Sequence, residues 1–344
     1  MRIESGSVAE PGSFLGIGGL IAKLQKIGRI RTFGRIVVTR TDRVLHKGRG
    51  ACYFEKPMPA LSAQIEAVVA SFQQAAEANR QTPARRGSVV VLTAENAEDV
   101  LVTADLHGQQ KHFEAILQLA ALDRHPRRHL ILQEVCHGGP CYADGLGCMS
   151  HLLLTSVAKL KVRYPERVHF LMSNHELSEL TDYPILKARR MLNLSFRLGL
   201  QAEYGDRLEE VRHAYLPFLR SCPLAIRFDN VFISHSLPET VDRRPFDSSF
   251  LDRPLTEDDW RVQGPIFDLV WGRDFRPANA EAFAKLVQAD VLIHGHEPCA
   301  DGFRVPNERQ VILDTCGSKP TVALLPVGKP LTHAAVVQRI QYLS

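Results

Sequence analysis

Short apolar stretches alternate with stretches of helical periodicity between residues 100 and 172. The apolar stretches cover residues 100–103, 129–132 and 168–172, and the helical patterns between them cover residues 112–122 and 152–162. Strands that alternate with helices usually pair in parallel, so this order predicts an α/β fold with a largely parallel sheet. In such sheets ligands bind beyond the carboxyl ends of the strands.

Further strands are predicted on both sides of this region. Upstream, a helical pattern covers residues 61–78, and residues 88–92 form a β-rich stretch. The polar residues 95–98 are typical of a hairpin-like turn that leads into the strand at residue 100. Downstream, the predicted strands cover residues 224–228, 231–234, 291–294, 311–314 and 321–325.

Residues with metal-binding side chains stand where these strands end. Divalent transition metals bind mixed oxygen and nitrogen ligands, and two neighbouring ions need a bridging carboxylate between them. Because the loops after parallel strands gather at one edge of a sheet, the series predicts a metal site at that edge. Its members are Asp105, His107, Glu134, Asn174, His175, Glu176, His235, His294 and His296.

The bulk composition excludes several function classes. The 344 residues are 45% hydrophobic, which suits one large domain or two ordinary ones. A net charge of +4 fits an anionic substrate, and together with 7% aromatic residues it does not favour nucleic-acid binding. The seven cysteines form no C-x-x-C pair, which indicates reduced thiols. Without a signal-peptide pattern or an apolar stretch of the ~18 residues that span a membrane, we expect a cytoplasmic protein.

The ordered motifs resemble those of the calcineurin-like metallophosphoesterase superfamily, most closely its phosphoprotein (Ser/Thr) phosphatase branch. Residues 102–108 are similar to the GDxHG motif of the family, residues 171–176 to GNHE and residues 293–298 to GHTP. The resemblance covers residues 98–326 and implies an αββα sandwich of two mixed β-sheets flanked by helices over residues 61–344. Three further matches are residues 232–237 with HGGL, 268–272 with LLWSDP and 313–317 with DTG.

The resemblance also implies the roles of individual residues. Asp105 and His107 would bind the first metal ion, Glu134 would bridge two ions, and His175 would be the general acid. The second ion would be bound by Asn174, His235 and His296. The implied cofactors are two divalent or trivalent ions, manganese, iron or zinc, and the implied reaction is the attack of a metal-activated hydroxide on phosphorus.

The second motif departs from the family pattern. Residues 132–139, Leu-Gln-Glu-Val-Cys-His-Gly-Gly, stand where the family has LGDxxDRG. Glu134 keeps a carboxylate with one more methylene, His137 replaces the Asp that orients the acid histidine, and Gly138 replaces a phosphate-binding Arg. His137 therefore becomes a candidate substrate-binding residue. The candidates for the lost arginine are Arg273, with a catalytic role, Arg276, Arg189 and Arg190, and the candidates for support of His175 are Asp144 and Glu176.

These features predict a dimetal phosphoesterase that hydrolyses phosphomonoesters, with a Ser/Thr protein phosphatase as one form and a phosphorylated protein or small molecule as substrate. One alternative is a dinucleoside polyphosphate or phosphodiester hydrolase. The other is a pseudophosphatase, a binding module that has lost turnover because the Asp-Arg pair is missing. The sequence leaves the native metals, the substrate and the oligomeric state open.

Two regions have more than one interpretation. Residues 1–60 are predicted to be an N-terminal extension with short strands and a basic amphipathic segment, which either packs on the main domain as a short helix or binds an anionic membrane or partner. A loop after the second motif contains three cysteines and two histidines. Buried free thiols are the preferred interpretation of this loop over a structural zinc site formed by Cys136, His137, Cys141, Cys148 and His151.

Overall fold

The computed structural model describes residues 58–344, with side chains from residue 61. The predicted N-terminal extension, with its short strands and its amphipathic segment, lies outside the described residues up to the start of the first helix at Met58. Within the described part of the chain, we find no helix that is both long and apolar enough to cross a membrane.

Fourteen strands and nine α-helices make up the described residues. The strands are β1 (Arg85–Arg86), β2 (Val89–Leu92), β3 (Asp99–Asp105), β4 (Arg128–Gln133), β5 (Val168–Phe170), β6 (Leu186–Lys187), β7 (Arg190–Met191), β8 (Ala225–Phe228), β9 (Val231–Ser234), β10 (Val291–His294), β11 (Phe303–Arg304), β12 (Gln310–Leu313), β13 (Thr321–Pro326) and β14 (Ile340–Tyr342). The helices are α1 (Met58–Arg80), α2 (Gln110–Ala120), α3 (Ser150–Arg163), α4 (Asn174–Thr181), α5 (Leu192–Tyr204), α6 (Leu208–Ser221), α7 (Pro265–Trp271), α8 (Pro277–Leu286) and α9 (His333–Val337).

The strands form two mixed sheets and one short hairpin. The five-stranded sheet has the order β14-β13-β3-β4-β5, and its strands β3, β4 and β5 are parallel. The seven-stranded sheet has the order β1-β2-β8-β9-β10-β12-β11, and its strands β9, β10 and β12 are parallel. The hairpin pairs β6 with β7.

Alternation along β3 shows why the sheets stack. Successive side chains of a strand point to opposite faces. Val100 and Val102 join a core between the two sheets that also contains Ile233 and Ile293, whereas Leu101 joins the core that includes the flanking helices. On the outer face of the other sheet, Phe232 of β9 packs against Phe283 of α8 with ring centroids 5.9 Å apart. The predicted αββα sandwich is therefore confirmed.

Two local predictions were wrong. Residues 95–98 do not form a hairpin, because β2 and β3 belong to different sheets and the turn, in which the Thr93 amide donates to Asn96 Oδ1 at 2.9 Å, carries the chain between them. The sheets are also mixed rather than largely parallel. β8 and β9 are antiparallel because Asp229, at φ +47°, adopts the left-handed conformation that a two-residue hairpin connection requires.

Candidate metal centre

The predicted ligands meet where strands of both sheets end. Asp105 is the last residue of β3, and Glu134 follows β4 directly. His235 follows β9, His296 lies two residues beyond β10, and Asn174 is the first residue of α4 after β5. All five side chains are buried. Stacking of the two sheets therefore brings together residues that are up to 191 positions apart in the chain.

A first group of donor atoms forms around one oxygen of Glu134. Its Oε1 lies 2.9 Å from His107 Nε2 and 3.7 Å from His175 Nε2. The other ring nitrogen of His107, Nδ1, lies 3.1 Å from the carbonyl oxygen of His137, so Nδ1 carries the proton in a neutral ring. The lone pair of His107 Nε2 then faces a carboxylate oxygen. Without a metal ion, burial disfavours a charged imidazole, but Glu134 and Asp105 outweigh it and raise the pKa of His107 to about 9.

A second group forms around the other oxygen of Glu134. Its Oε2 lies 2.7 Å from His235 Nε2, which is also 2.8 Å from Asn174 Oδ1 and 3.1 Å from His296 Nδ1. His235 Nδ1 lies 3.3 Å from Gln133 Oε1, so Nδ1 donates to that amide oxygen in the neutral ring and Nε2 is unprotonated. Hydrogen-bond acceptor atoms of four residues thus lie close together, and one proton between them cannot satisfy them all. They belong to Glu134, Asn174, His235 and His296.

The charges and unpaired atoms of this cluster fit bound cations. Asp105 Oδ1 accepts a hydrogen bond from the His296 amide at 2.8 Å, and burial together with the Glu134 charge raises the pKa of Asp105 to about 6. Glu134 Oε2 and His296 Nε2 are buried without a hydrogen-bond partner among the described residues. Burial of two carboxylates and of polar atoms without partners destabilises the fold unless a positive charge compensates them. Two groups in the described residues could hold a metal ion, His107 with Glu134 and His175, and Glu134 with His235 and His296.

Backbone conformation aims several of these side chains. His107, Glu134, His137 and His296 have φ values of +41°, +39°, +66° and +68°, in the left-handed region that non-glycine residues rarely occupy. The amides of Leu106 and His107 both donate to the Glu134 carbonyl, at 2.8 and 2.9 Å, and lock the two turns together. Such conformations cost of order 1–3 kcal/mol each and persist where the surrounding structure enforces them.

The predicted general acid, His175, has an unexpected partner. Its Nδ1 lies 2.9 Å from His137 Nδ1, and His137 Nε2 lies 2.9 Å from Glu179 Oε1. His137 and Glu179 are fully buried. Burial lowers the pKa of His175 well below its usual value, and the nearby Glu134 charge opposes that change. Glu179 was missed at the sequence level, although its position four residues after His175 puts both on one face of α4.

The two carboxylates proposed to support His175 serve the scaffold instead. Glu176 Oε1 accepts hydrogen bonds from the amides of Val135 and Cys136, at 2.9 and 2.7 Å, and so ties α4 to the second motif. Asp144 Oδ1 accepts from the Leu146 amide at 2.9 Å within its own turn.

The four predicted arginines lie in different surroundings. Arg273 Nη1 donates to the carbonyl oxygen of His296 at 3.3 Å and pairs with Glu297, which leaves its half-exposed guanidinium beside the site. Arg276 is held by two carboxylates, with bonds of 2.9 and 2.8 Å to Asp242 and others to Asp274.

The remaining two, Arg189 and Arg190, belong to the exposed hairpin of β6 and β7. Arg190 Nη1 lies 3.9 Å from Cys141 Sγ. Lys187 of the same hairpin lies close enough to His107 that its charge opposes the rise in the pKa of that imidazole, which makes this lysine an additional candidate cation.

The cysteine-containing loop does not form a metal cluster among the described residues. His137 faces α4, His151 Nε2 lies 3.0 Å from the Tyr142 hydroxyl, and Cys148 Sγ contacts Ser150 Oγ at 3.2 Å. The six described cysteines are free thiols. The preferred interpretation, thiols in a loop, agrees with these contacts.

Comparisons with known proteins identify the family of this chain. The family model for calcineurin-like phosphoesterases matches residues 99–300. A protein serine/threonine phosphatase from Saccharomyces cerevisiae, described as similar to human phosphatase PP5, superimposes with a TM-score of 0.60 at 16% identity, over 81% of this chain and 90% of that chain. A cold-active protein-tyrosine phosphatase of a psychrophilic Shewanella species superimposes with a TM-score of 0.48 at 14% identity, over 76% of this chain and 83% of that chain. No curated protein matches the sequence. Because the family model covers more than half of its 344 residues, the chain belongs to the calcineurin-like phosphoesterase family.

Proposed function

We propose that this chain hydrolyses phosphomonoesters with the help of two metal ions, and that phosphoserine and phosphothreonine of proteins are its first candidate substrates. The observation that carries the proposal is Glu134, whose two oxygens face different donor groups, His107 at 2.9 Å and His235 at 2.7 Å. When bound, the two ions would activate the attacking water and stabilise the charge that develops on the phosphoryl oxygens.

The side chains divide into two ligand sets that share one carboxylate. Asp105, His107 and Glu134 would hold the first ion. Glu134, Asn174, His235 and His296 would hold the second. The side chain of Glu134 is one methylene longer than the aspartate that the resemblance implies here, and its two oxygens still reach both ligand sets, at 2.9 Å from His107 and 2.7 Å from His235.

His175 supplies the proton for the leaving group. Its Nε2 faces the centre, 3.7 Å from Glu134 Oε1. As the bond between phosphorus and the leaving oxygen breaks, the electron pair goes to that oxygen, which takes the proton from His175 Nε2. Burial favours a neutral His175 in the free protein, and the dianionic phosphate of the substrate adds the negative charge that favours its protonated form.

Arg273 binds the phosphate in this proposal. Its guanidinium donates to the backbone carbonyl of His296, pairs with Glu297 and is half exposed. A bidentate contact of Arg273 with two phosphoryl oxygens would replace the contact of the family's arginine, in whose place Gly138 stands. Arg276 is already saturated by Asp242 and Asp274, which makes it the weaker candidate.

Hydrolysis of p-nitrophenyl phosphate in the presence of Mn²⁺ tests the proposal. We expect metal-dependent turnover in the natural protein and loss of both turnover and metal binding in Asp105→Ala and His296→Ala. Phosphoserine peptides and bis-p-nitrophenyl phosphate in the same panel separate monoesterase from diesterase activity. No turnover of any of these with Mn²⁺, Fe²⁺ or Zn²⁺ would contradict it.

The alternative is a pseudophosphatase that binds a phosphorylated partner without turnover. The observation behind it is Gly138, which takes the place of the arginine and has a φ of +87°. The atom nearest to an added Cβ at Gly138 would be His107 Cβ, at 3.5 Å, so a Cβ has space there although its backbone would be strained. Activity that arises only in the double variant His137→Asp with Gly138→Arg would favour this alternative.

A further inference from the structure

A chain of three buried side chains leads from the site into the helical layer. His175 Nδ1 lies 2.9 Å from His137 Nδ1, and His137 Nε2 lies 2.9 Å from Glu179 Oε1. Both His137 and Glu179 have no exposed side-chain surface. Burial of a carboxylate next to an imidazole has a large desolvation cost, so a purely structural role would be filled more cheaply by apolar residues.

The hydrogen bonds along this chain have one direction in the neutral state. A carboxylate only accepts, so Glu179 requires the proton of His137 on Nε2. The Nδ1 of His137 is then an acceptor, and it can only be satisfied by a proton on His175 Nδ1. With its Nδ1 proton held in this way, His175 presents Nε2 to the centre, on the side of Glu134 Oε1.

Glu179 is itself held in place from two directions. The Tyr215 hydroxyl donates to its Oε2 at 3.0 Å, and the Asn193 side-chain amide donates to its Oε1 at 3.3 Å. Tyr215 belongs to α6 and Asn193 to α5, so two further helices fix one carboxylate of α4. Glu179 thus has the rigidity that an orienting group needs.

His137 serves the site twice. Its carbonyl oxygen accepts from His107 Nδ1 at 3.1 Å, and its ring contacts His175. The backbone of His137 has a φ of +66°, and its ring also packs against Phe196, with ring centroids 5.6 Å apart.

We propose that Glu179 is a positioning residue for the proton donor His175 and acts through the ring of His137. The pair Glu179–His137 takes the place of the single aspartate that is missing from the second motif. This inference rests on the proposed phosphomonoesterase activity, and it names a residue outside the positions that resemble the family motifs.

Two substrates with different leaving groups test the inference. Proton donation matters little for p-nitrophenolate, a stable anion, and much for phenolate, a more basic one. We therefore expect Glu179→Gln to lower kcat for phenyl phosphate by about 10- to 100-fold, the usual effect of losing an outer-sphere partner, and kcat for p-nitrophenyl phosphate by less than about 3-fold. An equal loss for both substrates, or no loss for either, would overturn the inference.

A rescue and a matched control complete the design. In a His137→Asp background a carboxylate faces His175 directly, so adding Glu179→Gln there should leave the ratio of the two kcat values unchanged. His169→Gln removes a member of another buried histidine pair that has no contact with the site, and it should also leave the ratio unchanged. A selective loss in His169→Gln, or a further selective loss in the double variant, would contradict the proposed role of Glu179.

A spectroscopic measurement separates this inference from the proposed function. In ¹⁵N NMR spectra of the metal-free protein we expect His137 protonated at Nε2 and His175 protonated at Nδ1, and we expect both signals to change in Glu179→Gln. These tautomers in a protein without phosphatase activity would support the positioning while the proposed function fails. His137 without a proton on Nε2 would overturn the positioning whatever the activity.

Discussion

A pair of buried histidines in close contact lies near each end of β4, and the two pairs differ in the group that accepts their hydrogen bond. Near the amino end, His129 Nδ1 lies 2.9 Å from His169 Nε2 of β5, and His129 Nε2 lies 3.1 Å from the backbone carbonyl of Asn96. Beyond the carboxyl end, the pair of His137 and His175 has the same 2.9 Å separation. Here the carboxylate of Glu179 accepts a hydrogen bond from His137. At the amino end, the neutral carbonyl of Asn96 accepts one from His129.

Because such pairs occur at both ends of β4, close contact between two buried histidines is not by itself a sign of a catalytic site. Burial lowers the pKa of both His129 and His169, and positive charges nearby, including Lys161, add to that effect. Those two rings are neutral parts of the sheet, stacked with an interplanar angle of 11°. At the other end, the carboxylates of Glu134 and Glu179 flank the rings, and the Glu134 charge opposes the effect of burial on the pKa of His175.

The largest effect is expected for Glu134, which distinguishes the two ends most strongly. Glu134→Gln keeps the shape of the side chain and removes the negative charge shared by both donor groups. We expect kcat/KM for p-nitrophenyl phosphate to fall by more than about 100-fold, beyond the range typical of outer-sphere changes. The control Glu134→Asp restores the length found in relatives and should keep activity within about 10-fold. Equal activity in Glu134→Gln and the natural protein would contradict the role of the Glu134 charge at the carboxyl end of β4.

A smaller effect is expected at the carboxyl end when Arg273, the proposed phosphate-binding residue, is removed. Arg273→Ala should raise KM for phosphomonoesters by about 10-fold, because a hydrogen bond to a charged group contributes at least about 1.5 kcal/mol. Arg276→Ala is the matched control, since Asp242 and Asp274 occupy its guanidinium, and it should change KM by less than about 2-fold. The reverse order in steady-state kinetics would reassign the phosphate contact.

The smallest effect is expected at the amino end and concerns stability alone. Folding lowers the pKa of His129 and His169 below the unfolded value of 6.5, so the unfolded state binds more protons. The stabilisation from these neutral rings is present above pH 6.5 and is lost as the pH falls below it, by at most about 1.4 kcal/mol per pH unit for each histidine. Urea unfolding at pH 7, 6 and 5 should therefore show a shallower decline in His169→Gln than in the natural protein. A steeper decline would contradict the neutral assignment.

Local patterns predict most of the strands and helices, whereas the αββα sandwich followed from the resemblance to the family. The residues that we propose as ligands could be identified because they stand at or just beyond strand ends, which the local sequence shows. The hairpin predicted at residues 95–98 was wrong because sheet membership depends on distant partners, here the pairing of β2 with β8.

The spacing of Glu179 and His175 places them on one helix face, but the contact of Glu179 with His137 could not be predicted because it depends on packing. Its contact with His137 arises from the left-handed backbone at His137 and from the position of α4, and neither leaves a motif in the chain. For the same reason, the sequence could not predict that the guanidinium of Arg273 is half exposed while that of Arg276 is bound by two carboxylates. Asp242, which holds Arg276, lies 34 residues earlier in the chain.

We propose that Glu134 bridges two metal ions, and the number of ions bound per chain can decide this claim. Elemental analysis of the purified protein after loading with Mn²⁺ should give two ions per chain, and Glu134→Gln prepared in the same way should give one or none. Two ions in Glu134→Gln, or none in the natural protein, would contradict the claim.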